Sequence, residues 1–226
     1  MSTLIIGANG KIGRLLIARL VAAGETPLCM IRDAAQADEI KALGGEPIVG
    51  DLEGDFDEAY ERADAVVFAA GSGGQTGGDK TIMVDLWGAI KTIDFCRKFG
   101  IDRYLMVSAL RADDPDNGPE SIRHYLVAKH LADEYLQRSN LDWTILRPGR
   151  LTDEPGTGQV ALQREPDGPI TIPRDDVAAA LQLCLARPAE TARQVIDLIS
   201  GPTPIADALA TLPPPALDEL TFDFGS

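Results

Sequence analysis

The stretch Leu4-Ile5-Ile6-Gly7-Ala8-Asn9-Gly10-Lys11-Ile12-Gly13 decides the fold. A short apolar run is followed by glycines at three-residue intervals. Glycines so placed let a strand turn sharply into a helix, and they let backbone N–H groups approach a phosphate without a Cβ in the way. Downstream, Ile12, Leu15, Leu16, Arg19 and Leu20 recur at helical spacing. The helix they predict points the positive end of its dipole at the loop. The spacing is GxxGxxG, not the GxGxxG of the standard dinucleotide fingerprint. In a chain with 22 glycines it is therefore the strand–turn–helix context that makes this loop read as a nucleotide site.

Beyond the loop, apolar runs and helix-like runs alternate. Strands are expected at residues 3–6, 28–32, 46–49, 65–69, 104–107 and 143–146. Most are continuously apolar, as strands covered on both faces are. Helices are expected at 11–23, 35–43, 56–61, 79–99 and 121–138. Gly24, Gly44 and Gly100 each follow one of them, where a left-handed C-cap favours glycine. This β–α alternation predicts an α/β protein with a doubly wound parallel sheet and right-handed crossovers.

After Pro148 the texture changes. Residues 151–168 are rich in Gly, Pro and charge and read as a loop with room for a short strand. Residues 170–172 read as an edge strand, 174–186 as a helix and 195–199 as a last strand. The tail after Gly201 carries Pro213-Pro214-Pro215 and reads as a short helix followed by loosely held chain. We expect one domain over residues 1–226, with 150–226 adding a small substrate-side lobe.

Acidic side chains number 35 against 21 basic ones, a net charge of −14. Such a surface repels nucleic acid and anionic membranes, so neither is expected as a partner. Cys29, Cys96 and Cys184 are far apart, odd in number and set among apolar neighbours. They read as buried free thiols. His124 and His130 are the only histidines, and no metal site is expected. There is no positively charged leader, and no apolar run reaches the roughly 18 residues that span a bilayer, so a soluble cytoplasmic protein is expected.

The second strand ends Ile31-Arg32-Asp33. In dinucleotide folds an acidic residue here binds a ribose 2′-hydroxyl, whereas arginine accommodates a 2′-phosphate. Both are present. Arg32, with Lys11 in the nearby loop, places two positive charges in a very acidic chain, which favours NADP over NAD. Asp51 and Leu52 follow the third strand, and Asp51 can accept from an adenine amino group. Ala69-Ala70-Gly71-Ser72-Gly73-Gly74 follow the fourth, small residues against which a cofactor can lie or which simply form a flexible loop.

Tyr125 and Lys129 form Y-x-x-x-K and share one face of their predicted helix. An ammonium near a phenol stabilises the phenolate, so the Tyr125 pKa is expected to fall. Ser108 ends the fifth strand at the same edge as the glycine loop, where its hydroxyl can donate to a substrate carbonyl. By itself the Tyr–Lys pair also fits a half-buried tyrosine beside a solvated lysine.

A resemblance joins these motifs. Gly7-Ala8-Asn9-Gly10-Lys11-Ile12-Gly13, Arg32-Asp33, Gly50-Asp51-Leu52, Ala69-Ala70-Gly71, Val107-Ser108, Tyr125-Leu126-Val127-Ala128-Lys129, Leu146-Arg147-Pro148-Gly149 and Arg174-Asp175-Asp176-Val177 occur in that order. Together they resemble an atypical short-chain dehydrogenase/reductase, related to NmrA-like and biliverdin-reductase-B-like NADP-binding proteins. The resemblance implies a Rossmann fold with a parallel sheet of about seven strands and NADP as cofactor. It implies cofactor contacts from Gly7, Asn9, Gly10, Lys11, Ile12, Gly13, Arg32, Asp51, Leu52, Ala69, Ala70, Gly71, Tyr125, Lys129, Pro148 and Gly149. Ser108, Tyr125 and Lys129 become the catalytic set. Asp85 stands where such enzymes usually carry an active-site asparagine, and a carboxylate cannot donate a hydrogen bond unless protonated.

The expected function is NADP-dependent reduction of a small carbonyl or quinone-like substrate. The alternative is a non-catalytic sensor of the NADP/NADPH ratio with a protein partner. Asp85, and the 17 positions and acidic loop separating Ser108 from Tyr125, motivate it. An epimerase or dehydratase using transient hydride transfer is less favoured. No apolar stripe stands out to indicate an oligomeric state.

Overall fold

The computed structural model of the chain describes residues 2–54, 56–73, 76–163 and 170–214. Successive side chains of a strand point to opposite faces, and that alternation divides the core in two. In β1 (Thr3–Ile6), Ile5 joins one apolar cluster while Leu4 and Ile6 join the other. The helices α1 (Lys11–Ala22), α6 (Arg174–Ala186) and α8 (Ile205–Ala210) cover the first face, with Leu16, Ile17, Leu20, Leu181 and Leu209 fully buried. The second face is covered by α4 (Ala89–Phe99), α5 (Arg123–Gln137) and a 3₁₀ turn at Asp57–Tyr60, which bury Tyr60, Ile93, Cys96 and Leu136.

Between these layers lie β2 (Leu28–Ile31), β3 (Glu46–Val49), β4 (Ala65–Phe68), β5 (Arg103–Val107), β6 (Asp142–Pro148) and β10 (Gln194–Ser200). With β1 they form a seven-stranded parallel run in the order β10-β6-β5-β4-β1-β2-β3. The chain winds outward from β1 in one direction and then from β4 in the other. The switch point is the β1–β4 pair, in register at Ile6↔Phe68. In doubly wound sheets the ligand crevice opens at this point, beyond the carboxyl ends of the strands. The fold is thus the α/β Rossmann type expected.

The sheet is larger than the seven strands expected. β8 (Gln159–Ala161) and β11 (Thr203–Pro204) add antiparallel to the β10 edge, giving nine strands. The expected edge strand appears as β9 (Thr171–Pro173), but it pairs with β7 (Arg150–Thr152) in a separate two-stranded sheet. These strands are two or three residues long, too short to show a period of two in sequence.

The helix expected over 79–99 is a continuous helical run with changing pitch. It opens as α3 (Gly78–Lys80), winds as a π-helix over Thr81–Gly88 and continues as α4. The expected helix at 35–43 is a 3₁₀ turn followed by the short α2 (Ala37–Ala42), and α7 (Pro188–Thr191) links α6 to β10. Gly24, Gly44 and Gly100 take up the positive φ expected of them. The short helix expected after Gly201 is α8. Gly74, residues 164–168 of the 151–168 loop and the tail from Pro215 lie outside the described residues. No helix among the described residues is long and apolar enough to cross a membrane.

Candidate functional site

The glycine loop joins β1 to α1 under tight constraint. Gly7 has φ +84°, and a Cβ there would stand 2.6 Å from the backbone of Ala70 on the neighbouring strand end. At Gly13 a Cβ would stand 2.5 Å from the Gly7 carbonyl oxygen. Only glycine lets β1, β4 and α1 approach this closely. Gly10 is the N-cap of α1 and supplies no side-chain cap, and the first turn carries no acidic residue. The first N–H groups of α1 are therefore open to an anion, and the helix dipole favours one.

Against this loop lies a cleft of about 430 Å³. It is lined by Gly7, Asn9 and Gly10, by Arg32 beyond β2, by Asp51 and Leu52 beyond β3, and by Ala69, Ala70 and Gly71 beyond β4. The cradle a Cβ would fill and the row of strand ends fit a dinucleotide. At the end of β2 the two candidate ribose readers separate. Asp33 is exposed outside the cleft lining, and its Oδ1 accepts from the Ala35 N–H at 2.9 Å, capping the next turn. Arg32 is exposed on the cleft wall, with no ion pair among the described residues. Asp51 also lines the cleft, where its carboxylate accepts from the Glu53 N–H at 3.0 Å.

Other residues implied by the resemblance lie elsewhere. Lys11 reaches away to Asp153 at 2.5 Å, and Arg174 holds the other oxygen of that carboxylate. Ile12 and Gly13 are packed into the core side of α1. Pro148 and Gly149 carry backbone bonds, the Pro148 carbonyl accepting from Leu110 and the Gly149 N–H donating to Leu198. None of these five lines the cleft. Lys80, paired with Glu53 at 2.7 Å on the cleft wall, was not singled out by sequence, and neither were Gln36 and Thr76, whereas Ser72, in the small-residue stretch after β4, does line it as expected.

Beside the cleft lies a wall of buried polar groups. Ser72 lines the cleft, and its N–H donates to Asp85 Oδ2 at 3.0 Å. Asp85 sits on the π-wound segment and is 1% exposed. Lys129 is equally buried, donates to the Val107 carbonyl at 2.7 Å and lies over the Phe68 ring. Ser108 follows Val107, and its Oγ is buried without a hydrogen-bond partner. Asp133, one turn beyond Lys129 on α5, accepts from Arg147 Nε at 2.9 Å.

The structure brings Ser108, Tyr125, Lys129 and Asp85 into one wall, but it corrects their electrostatics. The expected fall in the Tyr125 pKa does not occur. Burial pushes the phenol well above its ordinary value, and the Asp85 and Asp133 carboxylates push it further. Burial lowers the Lys129 pKa, opposed by those same two carboxylates. Burial raises that of Asp133, opposed by Lys129, Ser108 and Arg147. The Lys129 ammonium does not act on Tyr125 as a lone charge, because two carboxylates share its neighbourhood. Asp133 and Arg147 were missed as site residues. Their signals were a carboxylate four positions beyond Lys129 on the buried stripe of α5, and a charge within the apolar run of β6.

Known proteins are similar to this chain in sequence and in fold. The uncharacterized sugar epimerase YhfK of Bacillus subtilis is 42% identical over 216 residues, covering 94% of this chain and all of its own. A structure from Bacillus halodurans, described as a candidate NAD-dependent epimerase/dehydratase, superposes with a TM-score of 0.90 at 45% identity, over 94% of this chain and 100% of that one. ChuY of Escherichia coli O157:H7, described as an anaerobillin reductase, has a TM-score of 0.75 at 28% identity, over 88% of this chain and 97% of its own. Residues 7–188 match the family described as NAD(P)H-binding. With the glycine cradle, the switch-point cleft and this match, the chain belongs to the NAD(P)H-binding family of Rossmann-type, oxidoreductase-like proteins.

Proposed function

We propose that the chain is an NADP(H)-dependent reductase of a small carbonyl or quinone-like substrate. The observation that carries the cofactor choice is the end of β2. Arg32 faces the cleft, while the carboxylate of Asp33 is engaged as a turn cap. A guanidinium matches a dianionic 2′-phosphate, and Asp33, outside the cleft lining, is the less favoured ribose reader. Gly7, Asn9 and Gly10 with the start of α1 would hold the pyrophosphate, and Asp51 and Leu52 the adenine side.

When bound, NADPH supplies the hydride that reduces the substrate carbon. Everything else falls to this chain's own groups. Ser108 donates a hydrogen bond to the substrate oxygen. Tyr125, held protonated by burial and by its two carboxylate neighbours, delivers the proton that oxygen needs. A phenol kept neutral suits the reductive direction, in which the group must give a proton. Lys129, behind Val107, places a positive charge near the developing oxyanion. The segments β7, β8 and β9 form the substrate-side lobe. The reductase description of ChuY supports this reading, and the sugar-epimerase name of the Bacillus subtilis relative makes sugar-like carbonyls part of the substrate set to try.

A second reading is a cofactor-binding sensor without turnover. It is favoured by Lys129, which is tied to the Val107 carbonyl, and by the carboxylate of Asp85 in place of an amide. NADPH oxidation followed by absorbance over a panel of carbonyls, quinones and keto-sugars separates the two. Turnover that falls about 10²- to 10⁴-fold in Tyr125→Phe, the usual worth of a general acid, supports the reductase. An unchanged rate removes Tyr125 from the mechanism. Tight NADPH binding with no turnover on any compound supports the sensor.

A further inference from the structure

We propose that Asp133 is a positioning residue that sets the direction of the Ser108 hydroxyl, and so decides whether Ser108 can donate to a substrate oxygen. The carboxyl of Asp133 is fully buried, and one of its oxygens, Oδ2, is fixed by Arg147 Nε. The other, Oδ1, has no hydrogen-bond partner, and neither has Ser108 Oγ. Ser108 lies beside the carboxyl and favours its ionised form, yet the two oxygens do not close a hydrogen bond. Adjacent buried oxygens left unpaired are costly, so the wall is poised to form one bond there.

That bond can run in two senses. With Asp133 ionised, the single proton of Ser108 is donated backward to Oδ1, and a substrate carbonyl finds no donor. With Asp133 protonated, the acid donates to Ser108 Oγ and the serine proton points forward. The groups facing this pair come from every element around it. Lys129 and Tyr125 lie on the same helix, Asp85 on the π-wound segment and Arg147 on β6, with Asp113 at 4.0 Å from the Arg147 guanidinium. Burial outweighs the two cations, so the protonated form of Asp133 persists to higher pH than in an ordinary aspartate. The forward-pointing serine is therefore the acid-side state, and donation to substrate is lost as pH rises.

The functional consequence rests on the reductase reading, so the first arm of the test uses no turnover. The full chain is loaded with NADP, its aspartate carboxyls are isotopically labelled, and they are titrated by carbon NMR. One resonance, absent in Asp133→Asn, should titrate above the ordinary aspartate range and move higher still in Ser108→Ala. An Asp133 signal that is ionised throughout, or indifferent to Ser108→Ala, overturns the proposal whether or not a substrate is known. The second arm is the pH profile of kcat/KM on a carbonyl the wild type reduces. It should fall through the same midpoint. Asp133→Ala should lose on the order of tenfold on the acid side. Asp133→Asn, whose amide can donate to Ser108 as the protonated acid does, should retain more activity with a flattened profile. It also serves if the alanine variant fails to fold. Equal losses in both variants with an unchanged profile shape indicate a merely structural role and overturn the proposal. A coupled Asp133–Ser108 titration without reduction of any carbonyl supports the pairing and fails the reductase reading alone.

Discussion

Arg32 is the residue on which the cofactor choice turns. It stands exposed on the cleft wall, and the neighbouring Lys80 already pairs with Glu53. A charge-assisted hydrogen bond is worth about 1.5–3 kcal/mol, so Arg32→Ala should weaken NADP binding roughly 10- to 100-fold and leave NAD binding nearly unchanged. Calorimetry with both nucleotides checks this, and equal affinities before and after would reject Arg32 as the phosphate reader. Asp33 offers the converse control. Its carboxylate caps the Ala35 N–H, so Asp33→Ala should cost stability on the order of 1 kcal/mol without changing nucleotide preference. The sequence alone left Arg32 and Asp33 side by side as rivals. What separated them was a local hydrogen bond, which depends on the backbone angles of the following turn.

At the scale of elements, the β1–α1 turn makes the strictest demand on sequence. Gly7 combines a positive φ with the close approach of Ala70, whereas Gly24 has φ +86° and nothing within 4 Å of where a Cβ would stand. Gly24→Ala should therefore cost only the left-handed strain, about 1–2 kcal/mol. Gly7→Ala should cost more in a thermal melt and also abolish nucleotide binding, because β1 and β4 must part. Equal melting temperatures for the two variants would contradict this. The same elements show what could be read beforehand. The seven parallel strands were legible because most of them are dense apolar runs that alternate with helix-period segments. β8 and β11 were not, because their pairing with β10 is decided across the molecule and not within two or three residues. Ser108, Tyr125, Lys129 and Asp85 were legible as neighbours, but the balance of charge among them was not. That balance depends on Asp133 and on the pull of the Val107 carbonyl on Lys129, contacts that arise only when α5 packs over β5 and β6.

For the molecule as a whole, surface ion pairs such as Arg62–Glu46 and Lys98–Asp57 are exposed and contribute little individually. Its sharpest dependence on pH comes from the interior. Cys29 and Cys184 are free thiols that burial pushes up from 9.0 to about 12, and Cys96 is pushed higher still. Burial also raises the phenols of Tyr60 and Tyr104 well above their ordinary values. A group whose pKa is higher folded than unfolded holds its proton longer in the native state, so its stabilisation is complete below the unfolded value and is lost as pH rises through the folded one. The thiols therefore leave the midpoint of thermal unfolding unaffected up to about pH 9 and pull it down steeply towards pH 12, the window they set. Within it each thiol removes about 1.4 kcal/mol per pH unit. Cys96→Ala should melt lower than the wild type at neutral pH, because it opens a cavity under α4. Above pH 9 its midpoint should decline less steeply, since one thiol no longer waits to ionise on unfolding. An alkaline slope unchanged by the substitution would show that the loss of the fold at high pH has another origin.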